Sequence, residues 1–350
     1  MLTRDEFIFS LPQLKTYLAD KNWDMNRITL PETMDEKQGF YLLIPKYYVD
    51  LIDWYNINDP LKLMVLTNHL EKDIRPYETT DPIGDAAHSP VPGIVHRYPD
   101  RCLLMLTNVC AVHCRFCFRK NLLTHNKAHL QKSLEYIQQH TELWEVIFSG
   151  GDPFMLTDAF LEKVLHDLGK INHLQMIRFH TRTPAVYPAR VSETFLKALQ
   201  SSGKPITVVI HINHPSEITE EFKTAIKLLK QTTTLLLSQT VLMKDVNDNP
   251  EVLAELFKSL AAIGIKPYYL HHLDIAAGTH YFRVSLERGK EIVQQLRGNI
   301  SGVCMPEYVI DTPGGHGKIP VFWFKHIEKN FYEAINFEGD LIRYTDHILQ

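Results

Sequence analysis

The middle of the chain alternates short apolar runs with longer amphipathic stretches. Consecutive apolar residues are typical of buried strands, whereas apolar residues spaced three or four apart are typical of helices packed on one face. Strands that alternate with helices predict a parallel sheet with right-handed crossover connections. The predicted strands are 103–107, 145–150, 176–181, 206–212, 234–242 and 267–273, and the predicted helices between them include 158–170, 192–202, 216–231 and 249–264.

The regions on either side of these strands have a different pattern. Residues 1–95 combine turn-rich sequence with helical spacing in 11–20 and 45–55, and two strand-like runs beyond residue 300 flank the sequence PGGHG. Periodicity alone leaves open whether the strands form an open doubly wound sheet or a curved partial barrel. We expect three parts: an N-terminal helical extension over 1–95, an α/β body over 96–300 and a C-terminal strand-containing segment over 301–350.

The composition favours a soluble globular protein without a polyanionic partner. The chain has 350 residues, of which 45% are hydrophobic and 22% charged, and its formal net charge is −4. We therefore expect neither nucleic acid nor a membrane as partner. The first residues lack the apolar core of a secretory signal, and five cysteines do not make a disulfide framework, so we expect a reducing cytoplasm. The 18 histidines are spread along the chain and predict no single site.

Three of the five cysteines lie close together after the first predicted strand. Cys110, Cys114 and Cys117 would show this spacing by chance in only about one chain in a thousand. A short loop with this spacing can bring three thiolates to one iron–sulfur cluster and leave its fourth iron open to a small molecule. Two alternatives are cysteines buried on one helix face and a zinc site completed by His113. We predict a [4Fe–4S] cluster.

Polar residues collect where the predicted strands end. SGGD (149–152), HTRTP (180–184), HINHP (211–215) and HHLD (271–274) each follow or close a strand. The carboxyl ends of parallel strands meet at one rim, so we expect these residues to line one ligand site. The two glycines of SGGD let the backbone approach a ligand closely.

The segment CAVHCRFC (110–117) resembles the CxxxCxxC signature of radical S-adenosylmethionine enzymes, and SGGDP (149–153) resembles their glycine-rich turn. The resemblance implies a partial (β/α)6 TIM-type barrel. It also implies that the open iron of the cluster binds S-adenosylmethionine, which is cleaved to a 5′-deoxyadenosyl radical.

A narrower resemblance extends over about residues 90–345. HRYPDR (96–101), TRTP (181–184), QTVLMKDVND (239–248) and DTPGGHGKIP (311–320) together resemble the lysine 2,3-aminomutase family, which also uses pyridoxal 5′-phosphate. The resemblance implies an isomerase that converts L-lysine to β-lysine through a pyridoxal imine and the deoxyadenosyl radical.

The family resemblance assigns cofactor residues. Lys318 would form the Schiff base, and we expect enclosure to lower its pKa, although a lysine beside glycines is also typical of a solvated loop. Arg97 and Arg101 would lie near the cofactor phosphate, which guanidinium groups bind well. The S-adenosylmethionine contacts would be Ser149, Gly150, Gly151, Asp152 and Gln239.

The same resemblance assigns the substrate contacts. Arg119 would pair with the substrate carboxylate, and Asp274 and Asp311 would bind the ε-ammonium group. Two carboxylates would disfavour glutamate through like-charge repulsion, although either aspartate could instead be a helix cap or turn residue. Asn249 stands where the clostridial form has a zinc-ligand cysteine, so we expect no zinc site between subunits, and the tetrameric assembly stays in doubt.

The expected partners are lysine and an electron donor such as flavodoxin or ferredoxin, with a possible homo-oligomer. Three alternatives stay open. The first is β-lysine production for modification of elongation factor P, and the second is an aminomutase for another basic amino acid, such as arginine or ornithine. The third is a non-catalytic iron–sulfur redox or sensor protein, in which Lys318 would be incidental.

Overall fold

The computed structural model describes residues 4–31, 41–121 and 129–347. Its helices are Leu11–Asp20 (α1), Lys46–Val49 (α2), Pro60–Val65 (α3), Leu130–Gln139 (α4), Asp158–Gly169 (α5), Thr183–Val186 (α6), Glu193–Gln200 (α7), Glu220–Leu229 (α8), Pro250–Ala262 (α9) and Leu286–Leu296 (α10). Its strands are Phe7–Ile8 (β1), Ile44–Pro45 (β2), Ile94–Tyr98 (β3), Arg101–Leu104 (β4), Glu145–Phe148 (β5), Met176–Thr181 (β6), Ile206–His211 (β7), Leu235–Val241 (β8), Lys266–His271 (β9), Glu307–Asp311 (β10), Lys318–Pro320 (β11), Lys325–Glu328 (β12), Phe331–Ile335 (β13) and Leu341–Thr345 (β14).

Nine of the strands form one curled sheet, in the order β11-β10-β9-β8-β7-β6-β5-β4-β3. Strands β4 to β10 are parallel, and β3 and β11 add to the two edges in the antiparallel direction. The predicted α/β partial barrel is confirmed. All six predicted strands are present as β4 to β9, and the strand-like run after residue 300 supplies a seventh parallel strand, β10.

The two faces of the sheet are covered differently. In β6, buried and partly exposed residues alternate, so that Ile177 and Phe179 pack into the main apolar core while Arg178 and His180 face the other side. This alternation is what a strand with one fully packed face produces. The second face forms the concave interior of the curled sheet, and it carries polar side chains.

The N-terminal region packs as a second apolar cluster. Leu11, Leu14 and Leu18 of α1 are buried, and Ser10 caps the helix by accepting a hydrogen bond from the Gln13 backbone. The helix predicted over 45–55 is much shorter, because α2 ends at Val49. After it the chain turns, so that Trp54 is buried and its Nε1 donates to the Val49 carbonyl at 3.0 Å.

The last three strands, β12 to β14, form a separate antiparallel sheet. One of its faces is partly exposed and apolar, with Ile327, Phe331 and Ile335 each about half accessible. Among the described residues, the helices are all too short or too polar to cross a membrane.

Candidate active site

The three clustered cysteines lie in an irregular loop that follows β4. The loop contains turns but no helix, so the alternative of three cysteines on one helix face is wrong. Its turn at Cys114 is closed by the Cys117 backbone N–H, which donates to the Cys114 carbonyl at 3.1 Å. Burial raises the pKa of the Cys117 thiol to about 11 and raises the pKa of Cys110 and Cys114 as well. Buried thiols of this kind become thiolates when a metal ion supplies the compensating charge, so the donor set fits an iron–sulfur cluster.

The glycine turn after β5 lies directly against the cysteine loop. Gly151 N donates to the Thr107 carbonyl at 2.8 Å, and Asp152 N donates to the Val109 carbonyl at 2.9 Å. A Cβ on Gly151 would lie 2.6 Å from the Val109 oxygen, and Gly150 has a φ of +100°. Both glycines are therefore required by the backbone, because any larger residue would prevent the close contact between this turn and the cysteine loop.

Asp152 links this turn to the end of β6. Its buried carboxylate accepts four hydrogen bonds, from Thr181 Oγ1 at 2.6 Å, Arg182 N at 2.8 Å, Thr183 N at 2.9 Å and Phe154 N at 3.0 Å. With so many protein partners, this side chain holds the loops together. Direct contact of Ser149, Gly150, Gly151 and Asp152 with S-adenosylmethionine stays a prediction.

A buried arginine, which the sequence did not single out, touches the cysteine loop from the end of β6. Arg182 Nη1 donates to Cys114 Sγ at 3.1 Å, and its Nη2 pairs with Glu217 Oε1 at 2.9 Å. Glu217 also accepts from the backbone of Asn213 and His214. The positive group beside the sulfur suits a cluster that carries negative charge. The only sequence signal was the position of HTRTP and HINHP at strand ends.

Lys318 begins β11, opposite the last residue of β10. Its Nζ donates to Asp311 Oδ1 at 2.7 Å, and His271 Nδ1 lies 3.1 Å from Asp311 Oδ2. Burial alone lowers the pKa of Lys318, but the adjacent Asp311 carboxylate raises it above the ordinary value. The expected lowering of this pKa is therefore wrong for the ligand-free protein. Burial would raise the pKa of Asp311, yet Lys318 and His271 hold it well below its usual range.

Asp274 lies near this pair at the end of β9. Burial, together with the nearby Asp311 charge, raises the pKa of Asp274 to about 8. Its backbone carbonyl accepts from Arg283 Nη2 at 2.9 Å, whereas its carboxylate has no hydrogen-bond partner within the described residues. The structure thus brings Asp274, Asp311 and Lys318 together, and the Asp274 carboxylate has no counter-ion in contact among the described residues.

A second ion network contains two of the predicted arginines. Arg119 Nε donates to Asp85 Oδ2 at 2.8 Å, and its Nη1 donates to Ser149 Oγ at 3.1 Å. Arg97 Nη2 donates to the other oxygen of Asp85 at 3.1 Å and to the Ile83 carbonyl at 2.7 Å. Burial raises the pKa of Asp85, but the two guanidinium groups lower it more. Asp85 lies in the turn-rich stretch before β3, where nothing in the hydrophobic pattern marked it.

The remaining predicted residues, Arg101 and Gln239, lie on β4 and β8. Arg101 begins β4, packs 3.9 Å over the Tyr98 ring and pairs with Asp100. Tyr98 OH in turn accepts from the Lys318 backbone N–H at 2.8 Å. Gln239 is partly exposed in β8, next to His211 of β7. The phosphate role of Arg101 and the S-adenosylmethionine role of Gln239 stay predictions.

Three histidines from different strands face this interior. The Nε2 atoms of His180, His211 and His271 are buried and have no protein partner in the described part of the chain. Burial lowers the pKa of His180 and His211 well below the ordinary value, so both rings are neutral. These three histidines belong to the strand-end segments HTRTP, HINHP and HHLD, which we expected to line one site, whereas the number of histidines alone identified none of them. Buried polar atoms that have no partner among the described residues fit an interior that binds polar cofactors such as S-adenosylmethionine and pyridoxal phosphate.

Asn249 has a local structural role. Its side chain accepts hydrogen bonds from the backbone of Glu251 and Val252 and caps α9. An asparagine cap is a common helix start, and it explains this residue without a metal.

Comparisons with known proteins agree with this geometry. The family model described as the Radical SAM superfamily matches residues 104–257, and the model described as Lysine-2,3-aminomutase matches residues 293–347. The chain is 40% identical over 289 residues to an L-lysine 2,3-aminomutase of Escherichia coli, and the match covers 81% of this chain and 84% of that protein. It is 32% identical over 348 residues to a glutamate 2,3-aminomutase of Clostridioides difficile, covering 95% and 82% of the two chains.

Among solved structures, this chain is similar to a radical SAM methyltransferase from Sphaerobacter thermophilus, with 18% sequence identity and a TM-score of 0.45. The match covers 62% of this chain and 68% of that chain. The first family model includes the cysteine loop and the glycine turn, and the second includes Asp311 and Lys318. With relatives matched over most of both chains, this protein belongs to the lysine 2,3-aminomutase family of radical S-adenosylmethionine enzymes.

Proposed function

We propose that the protein converts L-lysine to β-lysine by moving the α-amino group to the β-carbon. As a member of its family it is an isomerase that uses a [4Fe–4S] cluster, S-adenosylmethionine and pyridoxal phosphate. When bound, the cluster and S-adenosylmethionine supply a radical that removes a substrate hydrogen atom, and pyridoxal phosphate supplies the conjugated carbonyl that holds the migrating nitrogen.

The choice of substrate needs its own argument, because the relatives include both a lysine and a glutamate 2,3-aminomutase. The observation that carries our choice is the pair Asp274 and Asp311 beside one lysine. An ammonium group placed between these carboxylates would give Asp274 a counter-ion, which no side chain in the described part of the chain provides in contact. A glutamate side chain would instead bring a third carboxylate to the same place, and like charges at close range cost several kcal/mol.

The opposite end of the substrate would face Arg119. Two of its donors are used by Asp85 and Ser149, and Nη2 is left without a partner in the described residues. Asp85 orients the guanidinium group and leaves this donor for a carboxylate. We propose Arg119 as the contact for the α-carboxylate, and Arg97 and Arg101 as the positive groups near the phosphate.

The ion pair of Lys318 suggests how substrate entry activates this lysine. Lys318 must lose a proton before its Nζ can attack a carbonyl, and Asp311 at 2.7 Å opposes that loss. A substrate ammonium that shares Asp311 would weaken this stabilisation and lower the pKa of Lys318. The contact between Lys318 and Asp311 also argues against a sensor protein in which this lysine is incidental.

Several wider assignments belong to the same proposal. We propose contacts to S-adenosylmethionine at Ser149, Gly150, Gly151 and Gln239, with Asp152 as a positioning residue. We propose that the chain has three parts: an N-terminal extension (1–95), an α/β body (96–300) and a C-terminal segment (301–350). Strands β10 and β11 of the C-terminal segment join the sheet of the body. A cytoplasmic setting, an electron donor such as flavodoxin or ferredoxin, and a homo-oligomer complete the proposal, since thiolate ligands require a reducing compartment.

The test is a substrate comparison with anaerobically reconstituted enzyme, S-adenosylmethionine, pyridoxal phosphate and a reductant. We expect lysine to have the highest kcat/KM among lysine, ornithine, arginine and glutamate, with glutamate lower by at least about 100-fold. Asp274→Lys should remove lysine turnover and leave the iron content unchanged, whereas Asp20→Asn, an exposed control, should change neither. Equal turnover of lysine and glutamate would refute the assignment of the two aspartates.

A further inference from the structure

A cluster of metal-ligating side chains lies outside the active site, beside strand β3. One ligand atom from each of His96, His140 and Glu142 lies within 4.8 Å of the other two. His96 belongs to β3, His140 follows the last residue of α4, and Glu142 lies in the turn that leads into β5. From these contacts we propose that His96, His140 and Glu142 bind a divalent transition-metal ion, with Zn²⁺ as the preferred occupant.

The residue types select the class of ion. Two imidazole nitrogens and one carboxylate oxygen suit zinc and its neighbours, whereas magnesium and calcium prefer oxygen ligands alone. Tetrahedral zinc with Zn–N distances of about 2.0–2.1 Å places its ligand atoms about 3.3 Å apart. His140 and Glu142 are both substantially accessible, so small side-chain rotations can bring the three atoms to that separation. Three protein ligands would leave the remaining position to water.

The neighbouring side chain Tyr136 orients both histidines. Its hydroxyl group lies 2.8 Å from His96 Nδ1, which leaves Nε2 of that ring without a partner in the described residues. The Tyr136 ring also stacks on His140, with centroids 3.9 Å apart. His140 Nδ1 lies 2.6 Å from Glu142 Oε1, so two of the proposed ligands are already in contact. Partners that fix the orientation of a histidine are the usual support of a metal site.

The location separates this site from the iron–sulfur cluster. Glu142 precedes the start of β5, whereas the cysteine loop follows the end of β4, the parallel neighbour of β5. The four residues of such a strand span about 10 Å. A metal ion here would cross-link the edge strand β3 to the turn after α4. Because Tyr98 of β3 binds the Lys318 backbone, the proposed ion supports the strand that holds the cofactor lysine.

The test measures zinc in holoprotein whose cysteine site is filled with iron. Wild-type protein and the variants His140→Ala, Glu142→Gln and His166→Ala are equilibrated with micromolar Zn²⁺, desalted and analysed for zinc and iron. His166 is an exposed histidine on α5 and serves as the matched control. Glu142→Gln alters only an accessible carboxylate, so it keeps the test valid if His140→Ala folds poorly.

We expect wild-type and His166→Ala proteins to hold one more zinc ion per chain than His140→Ala, at equal iron content. Glu142→Gln should bind zinc at least about tenfold more weakly than wild type. Zinc should also raise the melting temperature of wild-type and His166→Ala proteins, should raise that of Glu142→Gln less, and should leave that of His140→Ala unchanged. Equal zinc in all four proteins, or no zinc in the wild type, would overturn the proposal.

Discussion

Replacing Asp274 by asparagine should stabilise the ligand-free protein and at the same time weaken lysine binding. Burial and the Asp311 charge raise the pKa of Asp274 from its ordinary 3.8 to about 8. The folded protein therefore holds a proton on Asp274 that the unfolded chain releases between these two pH values. Because the folded state binds the extra proton, wild-type stability falls as pH rises through this window. Asparagine has no proton to lose, so the variant avoids that fall.

The magnitude follows from the proton count. One proton difference changes the free energy of unfolding by about 1.4 kcal/mol per pH unit. Between pH 6 and pH 8 the advantage of Asp274→Asn should therefore grow by up to about 3 kcal/mol and then level off above pH 8. For a chain of this size, each 1 kcal/mol moves the melting temperature by roughly 2 °C. Loss of one partner of a buried charge pair should raise KM for lysine by roughly 30-fold or more.

The assay is thermal unfolding of the anaerobic protein before pyridoxal phosphate, S-adenosylmethionine and lysine are added, from pH 6 to pH 9, for wild type, Asp274→Asn and the exposed control Asp20→Asn. KM for lysine is measured on the same preparations. The control should follow the wild type at every pH. If the gap between Asp274→Asn and wild type has the same size at pH 6 and pH 8.5, the reasoning about an unpaired buried carboxylate is refuted.

Three further substitutions test other parts of the site. Gly151→Ala places a Cβ 2.6 Å from a backbone oxygen of the cysteine loop. It should lower the free energy of unfolding by about 1–3 kcal/mol and lower the iron content. The control Gly302→Ala, whose Cβ meets open space, should change neither. Asp85→Asn leaves two buried arginines without their shared anion; unfolding measurements should show a loss of about 3–5 kcal/mol, together with a higher KM for lysine. Lys318→Ala should remove the pyridoxal label that borohydride fixes on the protein and lower kcat at least about 10³-fold, with iron content unchanged. A label that persists on the same peptide would show that another lysine carries the cofactor.

The sheet was predictable because its strands are buried on at least one face. Runs such as 206–212 contain enough β-branched and apolar residues to identify a strand without tertiary information, and the observed β7 differs from that run by one residue. The cysteine loop and the glycine turn were also predictable, since few other residue types could satisfy their chemistry. Strand-end position then placed Asp274 at the site.

The features of the structure that the sequence did not predict depend on contacts between distant segments of the chain. Asp85 lies in a stretch of turns, and its role arises only when Arg97 and Arg119 fold against it. His96 and His140 are far apart in the chain and meet because β3 packs beside the end of α4. The pKa of Lys318 was predicted in the wrong direction, because burial was considered without the carboxylate that accompanies it. Pairing of charges across strands leaves no periodic signal.

The most direct test of the proposed aminomutation follows one nitrogen atom. L-lysine labelled with ¹⁵N at the α-amino group is incubated anaerobically with holoenzyme, S-adenosylmethionine and a reductant, and the product is examined by NMR. We predict β-lysine with the label bonded to the β-carbon, because the amine moves within one molecule. Label released as ammonia, or active holoenzyme that forms no β-amino acid from lysine, would contradict the account.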